Sequence, residues 1–320
     1  MDFYINRLLF NITSYIINNI DNVILEVGNM DEIIKQIRNY LNMSQTEFAE
    51  LMNVSFGTVN RWENGRAVPN KLAQVRLYEI CRERNVPVYD FTLSRIRQAS
   101  KSLSPSDEKI ILYHGSKSGI EGAITPKSRE QCDFGRGFYM GTEAAQALTL
   151  ICDYDKSKFY IVSLDTTQLD SVDIQANLDW AMLVAYHRGR MEKIKGTPFY
   201  AKYRDWFNNK DLITGSIAND RMFYVIDNFF VGNITDAALV NSLSALQLGR
   251  QYVAVTQKCC DVVHIEAEIE LSHLERLFIK EVAQQNRAKG LSLANEICRT
   301  HRREGLYFDE ILEKAQNGGL

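Results

Sequence analysis

The chain has 320 residues, 45% of them hydrophobic and 24% charged, and a formal net charge of −3. That balance excludes wholesale disorder, and a pI of about 6.0 excludes a protein that is basic overall. Nucleic-acid binding must therefore come from a local patch, and the length suits two domains, each with its own core.

The six cysteines (Cys81, Cys132, Cys152, Cys259, Cys260 and Cys298) form no C-x-x-C pair. Reduced thiols in a cytoplasmic protein are expected.

The opening MDFYINRLLFNITSYIINNIDNVILEV is apolar, but Asn6, Arg7, Asn11, Asn18, Asn19 and Asp21 interrupt it. No run reaches the ~18 apolar residues of a spanning helix, and the basic leader and small-residue cleavage site of an export signal are missing, so no membrane is expected. Leu9, Ile12, Ile16, Ile20, Ile24 and Val27 recur at helical spacing. Residues 1–28 are thus expected to be a helical extension whose apolar stripe packs on the protein or on a partner, a homodimer contact included.

Residues 29–97 are dense in helical pattern. In MSQTEFAELMNVSFGTVNRWENGRAVPN (43–70), Ser44 and Glu47 have the spacing of a capping box. Phe48, Leu51 and Met52 give that helix a buried face, and Asn53-Val54 makes a turn. Ser55 caps a second helix, which runs through Trp62 before Gly65 and Pro69 stop it. Gln45, Ala49, Val54, Ser55, Val59, Trp62, Glu63 and Gly65 together resemble the helix-turn-helix of the Cro/repressor-like (Xre-type) family. The resemblance implies DNA binding, with Ser55, Phe56, Thr58, Asn60 and Arg61 offered to base edges and Gln45 near phosphate. Ten Lys/Arg against eight Asp/Glu in residues 29–98 leave open a module that dimerises without reading DNA.

Serines and a proline in QASKSLSPSDE mark residues 98–108 as a linker. After it, KIILYH, FYIVSLD, QYVAVTQ and VVHIEAEIEL read as strands, Leu178–Glu192 and Asp236–Leu248 as helices, and residues 276–320 as C-terminal helices. The fold class is α+β. In LYHGSKSGIEGAITPKSREQCDFGRGFYMGT (112–142), a strand delivers His114 at its end and Gly115 leaves room for a ligand at the backbone. A glycine-punctuated loop through Asp133, Gly135 and Gly137 then leads to Phe138-Tyr139. A histidine for a hydroxyl, an open backbone and an aromatic face suit a positively charged heterocycle on a ribose.

Here the blocks YHGS, DFGRGFYMGT, AAQA and GSIANDRMF resemble the ADP-ribosyltransferase superfamily. The branch is the His-Tyr-Glu one of diphtheria-toxin-like enzymes and poly(ADP-ribose) polymerases, and within it a bacterial group of uncharacterised domains. The resemblance covers about residues 110 to 265 of an expected 109–275 domain with a split sheet. It implies that His114 holds the ribose hydroxyls of NAD, that the Gly115 backbone binds the nicotinamide amide, and that Tyr139 stacks on the ring. Ser116, Phe134, Gly137 and Phe138 would line the same cleft, Arg129 and Arg136 would meet the pyrophosphate, and Asn219-Asp220, after a Gly-Ser turn, would close it.

The superfamily places a glutamate on a later strand, against the 2′-hydroxyl of the nicotinamide ribose. Gln251 is the first candidate for that position. A glutamine can orient the ribose but cannot take a proton, so acceptor activation would fall to another group. Glu266 and Glu268 compete, although the alternation from Val263 to Leu271 predicts one dry and one solvated face.

Residues 186–207 interleave Arg188, Arg190, Lys193, Lys195, Lys202 and Arg204 with Tyr186, Phe199, Tyr200, Tyr203, Trp206 and Phe207. They read either as a surface for single-stranded nucleic acid or as an insertion whose rings enter the core. No metal-ligand spacing is present. The expectation is a cytoplasmic NAD-dependent mono-ADP-ribosyltransferase acting on a protein or nucleic acid, in the manner of a toxin or anti-phage effector with an antitoxin partner. A transcription regulator with an inactive NAD-sensing domain and an NAD glycohydrolase remain open.

Overall fold

The computed structural model describes residues 25–26, 30–103, 109–217, 220–245 and 249–318. Strand β1 (Leu25–Glu26) precedes five helices: α1 (Met30–Tyr40), α2 (Gln45–Met52), α3 (Phe56–Glu63), α4 (Lys71–Glu83) and α5 (Val88–Ser102). The second module runs β2 (Lys109–Ser116), β3 (Phe138–Gly141), α6 (Ala144–Ile151), β4 (Lys158–Asp165), β5 (Ser171–Ile174), α7 (Leu178–His187), α8 (Pro198–Arg204) and β6 (Leu212–Ser216). It continues through α9 (Asp220–Phe230), α10 (Asp236–Ala245), β7 (Arg250–Ala254), α11 (Gln257–Cys260), β8 (Val263–Glu270), α12 (His273–His301) and α13 (Phe308–Gln316).

Local chemistry sets the helix-turn-helix. The Ser44 hydroxyl accepts from Glu47 N while the Glu47 carboxylate accepts from Ser44 N, which closes the capping box at α2. Asn53 takes the left-handed conformation at φ 55°, and Ser55 caps α3 through Thr58 N. Phe48, Met52, Val59 and Trp62 bury against Ile33, Ile34 and Ile37 of α1.

The two expected domains share this core. Leu274 and Phe278, from the first turns of α12, are part of it. The Gln74 side chain donates to Pro69 O at 2.8 Å and accepts from Leu274 N at 3.0 Å. The linker expected at 98–108 also changes character. Residues 98–102 continue α5, because Ser100 and Ser102 donate their hydroxyls back to Ile96 O and Ala99 O and so do not break the helix. Residues 104–108 lie outside the described residues. In the expected N-terminal helical extension, Leu25–Glu26 is a strand parallel to β8, Leu25 opposite Ala267. Residues 1–24 and 27–29, which hold all six residues of the apolar stripe, lie outside the described residues.

The sheet order is β1-β8-β4-β2-β3-β7-β6-β5. Its two halves meet weakly. β2 pairs with β4 along eight residues, from Lys109 opposite Asp165 to Ser116 opposite Lys158. With β3 it pairs at Tyr113 opposite Gly141 alone, and beyond that pair the strands part. One face is covered by helices, with α5, α6 and α12 over β8-β4-β2 and α7, α9, α10 and α13 over the other half. The opposite face is covered by Ile120 and Ile124 of the β2–β3 connection and by Cys259 and Cys260 of α11.

β8 departs from the strict alternation expected of it. The register slips at Ile161/Val162, so Ala267 opposes Ile161 while Ile265 opposes Val162. Val263 and Ile265 consequently face one core, and Ala267 and Ile269 the other. The Gly-Ser pair expected as a turn, Gly215-Ser216, ends β6.

Candidate functional site

His114 and Tyr139 meet where β2 and β3 part, from opposite faces of the sheet. Tyr139 shares the helix-covered face of Gly141, and His114 the other face with Leu112. A carbonyl oxygen can only accept, so the 2.7 Å contact between His114 Nδ1 and Tyr139 O places the hydrogen on Nδ1. Burial holds the ring's pKa below its ordinary value, partly opposed by that hydrogen bond. The histidine is therefore a neutral imidazole whose Nε2 carries a lone pair. Its ring stacks on Phe138 with centroids 4.3 Å apart.

The room expected beside Gly115 is taken by protein. A Cβ there would lie 2.6 Å from Ala147 O and 2.8 Å from Ile151 Cγ2, so this glycine lets α6 close onto β2. What stays open is the strand edge beyond Tyr113, where the β2–β3 ladder has ended. Ser116 turns away and donates to Gly119 O. Gly137 is buried against Val253 and Ala254, with its N–H on the Ser128 hydroxyl.

The Tyr139 hydroxyl is committed to the protein. It donates to Gly135 O at 2.8 Å and accepts from Phe134 N at 3.1 Å, which leaves the ring face as the part able to meet a ligand. Burial raises its pKa far above the phenol range. Gly135 turns the loop at φ 75°, with its N–H on Cys132 O. Phe134 is 1% exposed and packs into the space that Gly215 leaves without a side chain, so it is core and does not line a cleft.

Gln251 lies on the same face as Tyr139, opposite Gly141 on β3 and Gly215 on β6. Its Nε2 donates to Ser216 O at 3.0 Å. Asp133 pairs with Arg188, at the end of α7, at 2.7 Å. Burial drives the Asp133 pKa up, while Arg188 and Gln251 pull it back. Sequence reasoning named Asp133 only as part of a loop and missed the roles of Arg188 and Ser216. The single signal was an acidic residue ahead of Phe134-Gly135.

Other expected positions lie apart from this cluster. Arg129 and Arg136 are exposed, and Arg136 is paired with Glu130. Asp220 begins α9, and Asn219 lies outside the described residues. Glu266 accepts from Ser163 Oγ at 2.6 Å, and Glu268 pairs with Lys158, both far along the sheet from Tyr139. Most cations of 186–207 are partnered, Lys202 with Asp179, Arg204 with Asp205, Lys195 with Glu192 and Lys193 with Asp309, while Arg190 is exposed. Tyr200 and Tyr203 are buried, and Tyr186, Phe199, Trp206 and Phe207 pack on the same core. This stretch is an insertion whose rings enter the core.

On the helix-turn-helix, Phe56 is 52% exposed and Ser55 and Arg61 are also outward. Gln45 is held inside the module. Its Nε2 donates to Glu63 at 2.6 Å and its Oε1 accepts from Asn60 at 3.3 Å. Glu63 is buried, which alone would raise its pKa. Hydrogen bonds from Arg38 and Gln45 bring it below the ordinary value. Gln45 and Asn60 thus hold α2 against α3.

The chain is a helix-turn-helix module of DNA-binding type joined to a mixed α/β domain. Residues 34–73 match the helix-turn-helix family model, and residues 110–265 match the family described as "Protein of unknown function (DUF3990)". An uncharacterized HTH-type transcriptional regulator, y4wC of Sinorhizobium fredii, is 35% identical over 94 residues, 28% of this chain. The match spans 64% of that protein's length. No solved structure matches the chain. No helix among the described residues is long and apolar enough to cross a membrane.

Proposed function

We propose that the second module is an NAD-dependent mono-ADP-ribosyltransferase joined to a DNA-binding module. The observation that carries the reading is the His114–Tyr139 hydrogen bond at the parting of β2 and β3, which orients a neutral imidazole with Nε2 as acceptor. A ribose hydroxyl can donate to that nitrogen, and the Tyr139 ring offers its π face to a pyridinium. In the reaction, the bond between ribose C1′ and the nicotinamide nitrogen breaks and its electron pair leaves with nicotinamide. The cationic sugar is then captured by a nucleophilic acceptor, which gives up its proton. The acceptor is a protein or nucleic acid. The biological reading is a cytoplasmic toxin or anti-phage effector, held on DNA by residues 29–97 and restrained by an antitoxin protein.

A second reading, a regulator whose C-terminal domain senses NAD without consuming it, is favoured by Gln251 at the position of the superfamily's carboxylate and by the regulator-type relative. The two separate in one experiment. Purified protein is given NAD labelled in the adenylate half, with total protein, DNA and RNA in separate reactions, and free nicotinamide is measured in each. Transfer to one pool, lost in His114→Ala, supports the transferase. Free nicotinamide without transfer supports a glycohydrolase. NAD binding with neither product supports the sensor.

A further inference from the structure

Gln251 cannot take a proton, so an acceptor needs another group on the same strip of sheet. The β3–β7 ladder continues past Gly141 opposite Gln251. Thr142 N donates to Arg250 O at 2.9 Å, and Arg250 N donates to the Thr142 hydroxyl at 3.0 Å. Glu143 is still extended, at φ −109° and ψ 110°, and the alternation sets it opposite Gly249, on the face of Tyr139 and Gln251. Its side chain lies over that glycine. A Cβ at Gly249 would come within 2.4 Å of Glu143 Cγ, so the missing side chain is what gives the glutamate its place. From the other side, Ile217 N donates to Gly249 O at 3.0 Å and fixes the glycine between its neighbours.

The Glu143 carboxylate is uncommitted. It stands at the start of α6 without capping it, and its side chain makes no hydrogen bond or ion pair with any described residue. Asp133, by contrast, is held by Arg188, Asp173 by Arg250 and Asp179 by Lys202. Glu143 is also exposed, open to an acceptor as large as a protein or a nucleic acid. Residues that share a face of a strand are about 7 Å apart. Nicotinamide over Tyr139, ribose over Gly141 beside Gln251, and an acceptor at Glu143 therefore follow one another along one strip. We infer that Glu143 is the general base that takes the proton of the acceptor, an inference that rests on the transferase reading of the same site. The acceptor's lone pair bonds to ribose C1′, and the bond from C1′ to the nicotinamide nitrogen breaks with its electron pair leaving on nicotinamide. The acceptor's proton passes to the Glu143 carboxylate and from there to water.

The test uses full-length protein and NAD labelled in the adenylate half, with total protein, DNA and RNA in separate reactions. Nicotinamide release, label transfer to the pool that wild type modifies, and Tm are read for wild type, Glu143→Gln, Glu143→Asp and Gly249→Ala. In Glu143→Gln, transfer should fall about a hundredfold. Release should stay within about threefold of wild type, because departure of nicotinamide needs no base and water can capture the sugar. Tm should be unchanged, as the side chain is exposed. Glu143→Asp should restore part of the transfer. Gly249→Ala, which displaces the same carboxylate, should show the same split between release and transfer. A Glu143→Gln protein that transfers as well as wild type would overturn the inference and leave the transferase reading standing. So would release and transfer falling together, since the residue would then act on NAD and not on the acceptor. A wild-type protein that melts cooperatively but releases no nicotinamide, or releases it without labelling any pool, would overturn the transferase reading and the inference with it.

Discussion

Arg95 and Glu275, 180 residues apart, close a 2.6 Å ion pair with side chains 5% and 1% exposed. The same carboxylate accepts from the Thr92 hydroxyl and from the hydroxyl and N–H of Ser272, so it caps α12 while binding α5. Removing one member of such a pair leaves the other charge buried, at a cost of about 3–5 kcal/mol. Glu275→Gln should therefore destabilise the protein strongly, and Arg95→Met/Glu275→Gln should recover part of the loss. Urea denaturation of wild type and the two variants measures it. A Glu275→Gln protein as stable as wild type would show that the two modules are not held by this pair.

His187 sets an acid limit to stability. Burial lowers its pKa from 6.5 to about 4, with the ring stacked on Phe207 and Gly135 packed above it. Below pH 6.5 the unfolded chain takes up a proton that the folded chain resists, so stability is full above that pH and falls toward pH 4. Between pH 7 and pH 5 the loss from this group is about 2 kcal/mol. From pH 7 to pH 5 the denaturation midpoint of wild type should fall relative to that of His187→Phe, by the equivalent of about 2 kcal/mol.

Gly115 permits a close approach that no side chain fits. An alanine would meet backbone, Ala147 O at 2.6 Å, and backbone yields less readily than a side-chain tip. Gly115→Ala should cost about 1–3 kcal/mol in thermal or chemical unfolding. Gly122→Ala, with nothing within 4 Å of the new methyl but φ at 72°, tests backbone strain without packing.

Tyr139→Phe keeps the ring and removes the hydroxyl that satisfies Phe134 N and Gly135 O. About 1–2 kcal/mol of stability should be lost, since two part-buried backbone groups lose a partner. If the ring alone meets nicotinamide, KM for NAD should change less than in Tyr139→Ala, as steady-state nicotinamide release can show.

Arg61, exposed on α3 with only a 3.5 Å contact to Thr58, is free to reach DNA. Arg61→Ala should weaken binding to a wild-type-selected duplex by about 1–3 kcal/mol with Tm unchanged. Arg38→Ala should instead lower Tm, because it strips the buried Glu63 of its cation. Fluorescence anisotropy and melting curves separate the two.

The sequence alone determined the elements whose signals are short in range. The Ser44–Glu47 capping box, the left-handed Asn53 and the Ser55 cap act within four residues, so the helix-turn-helix was legible residue by residue. The apolar runs of β2, β4, β7 and β8 were legible for the same reason, each buried enough to be rich in branched and aromatic residues. Short β6, ending in Gly215-Ser216, carried a turn signal that pairing with β5 and β7 overrode. Only the tertiary structure decided what depends on partners far along the chain. The bulge in β8 exists because β4 sets its register, and α5 runs past its serines with its charged face closed by Glu275. At the candidate site, His114 and Tyr139 could be picked from residue type and spacing, and Gln251 only through the resemblance to the ADP-ribosyltransferase superfamily. Their faces, the His114 tautomer and the hold of Ser216 O on the Gln251 amide come from strand pairing and long-range hydrogen bonds, which no local pattern encodes.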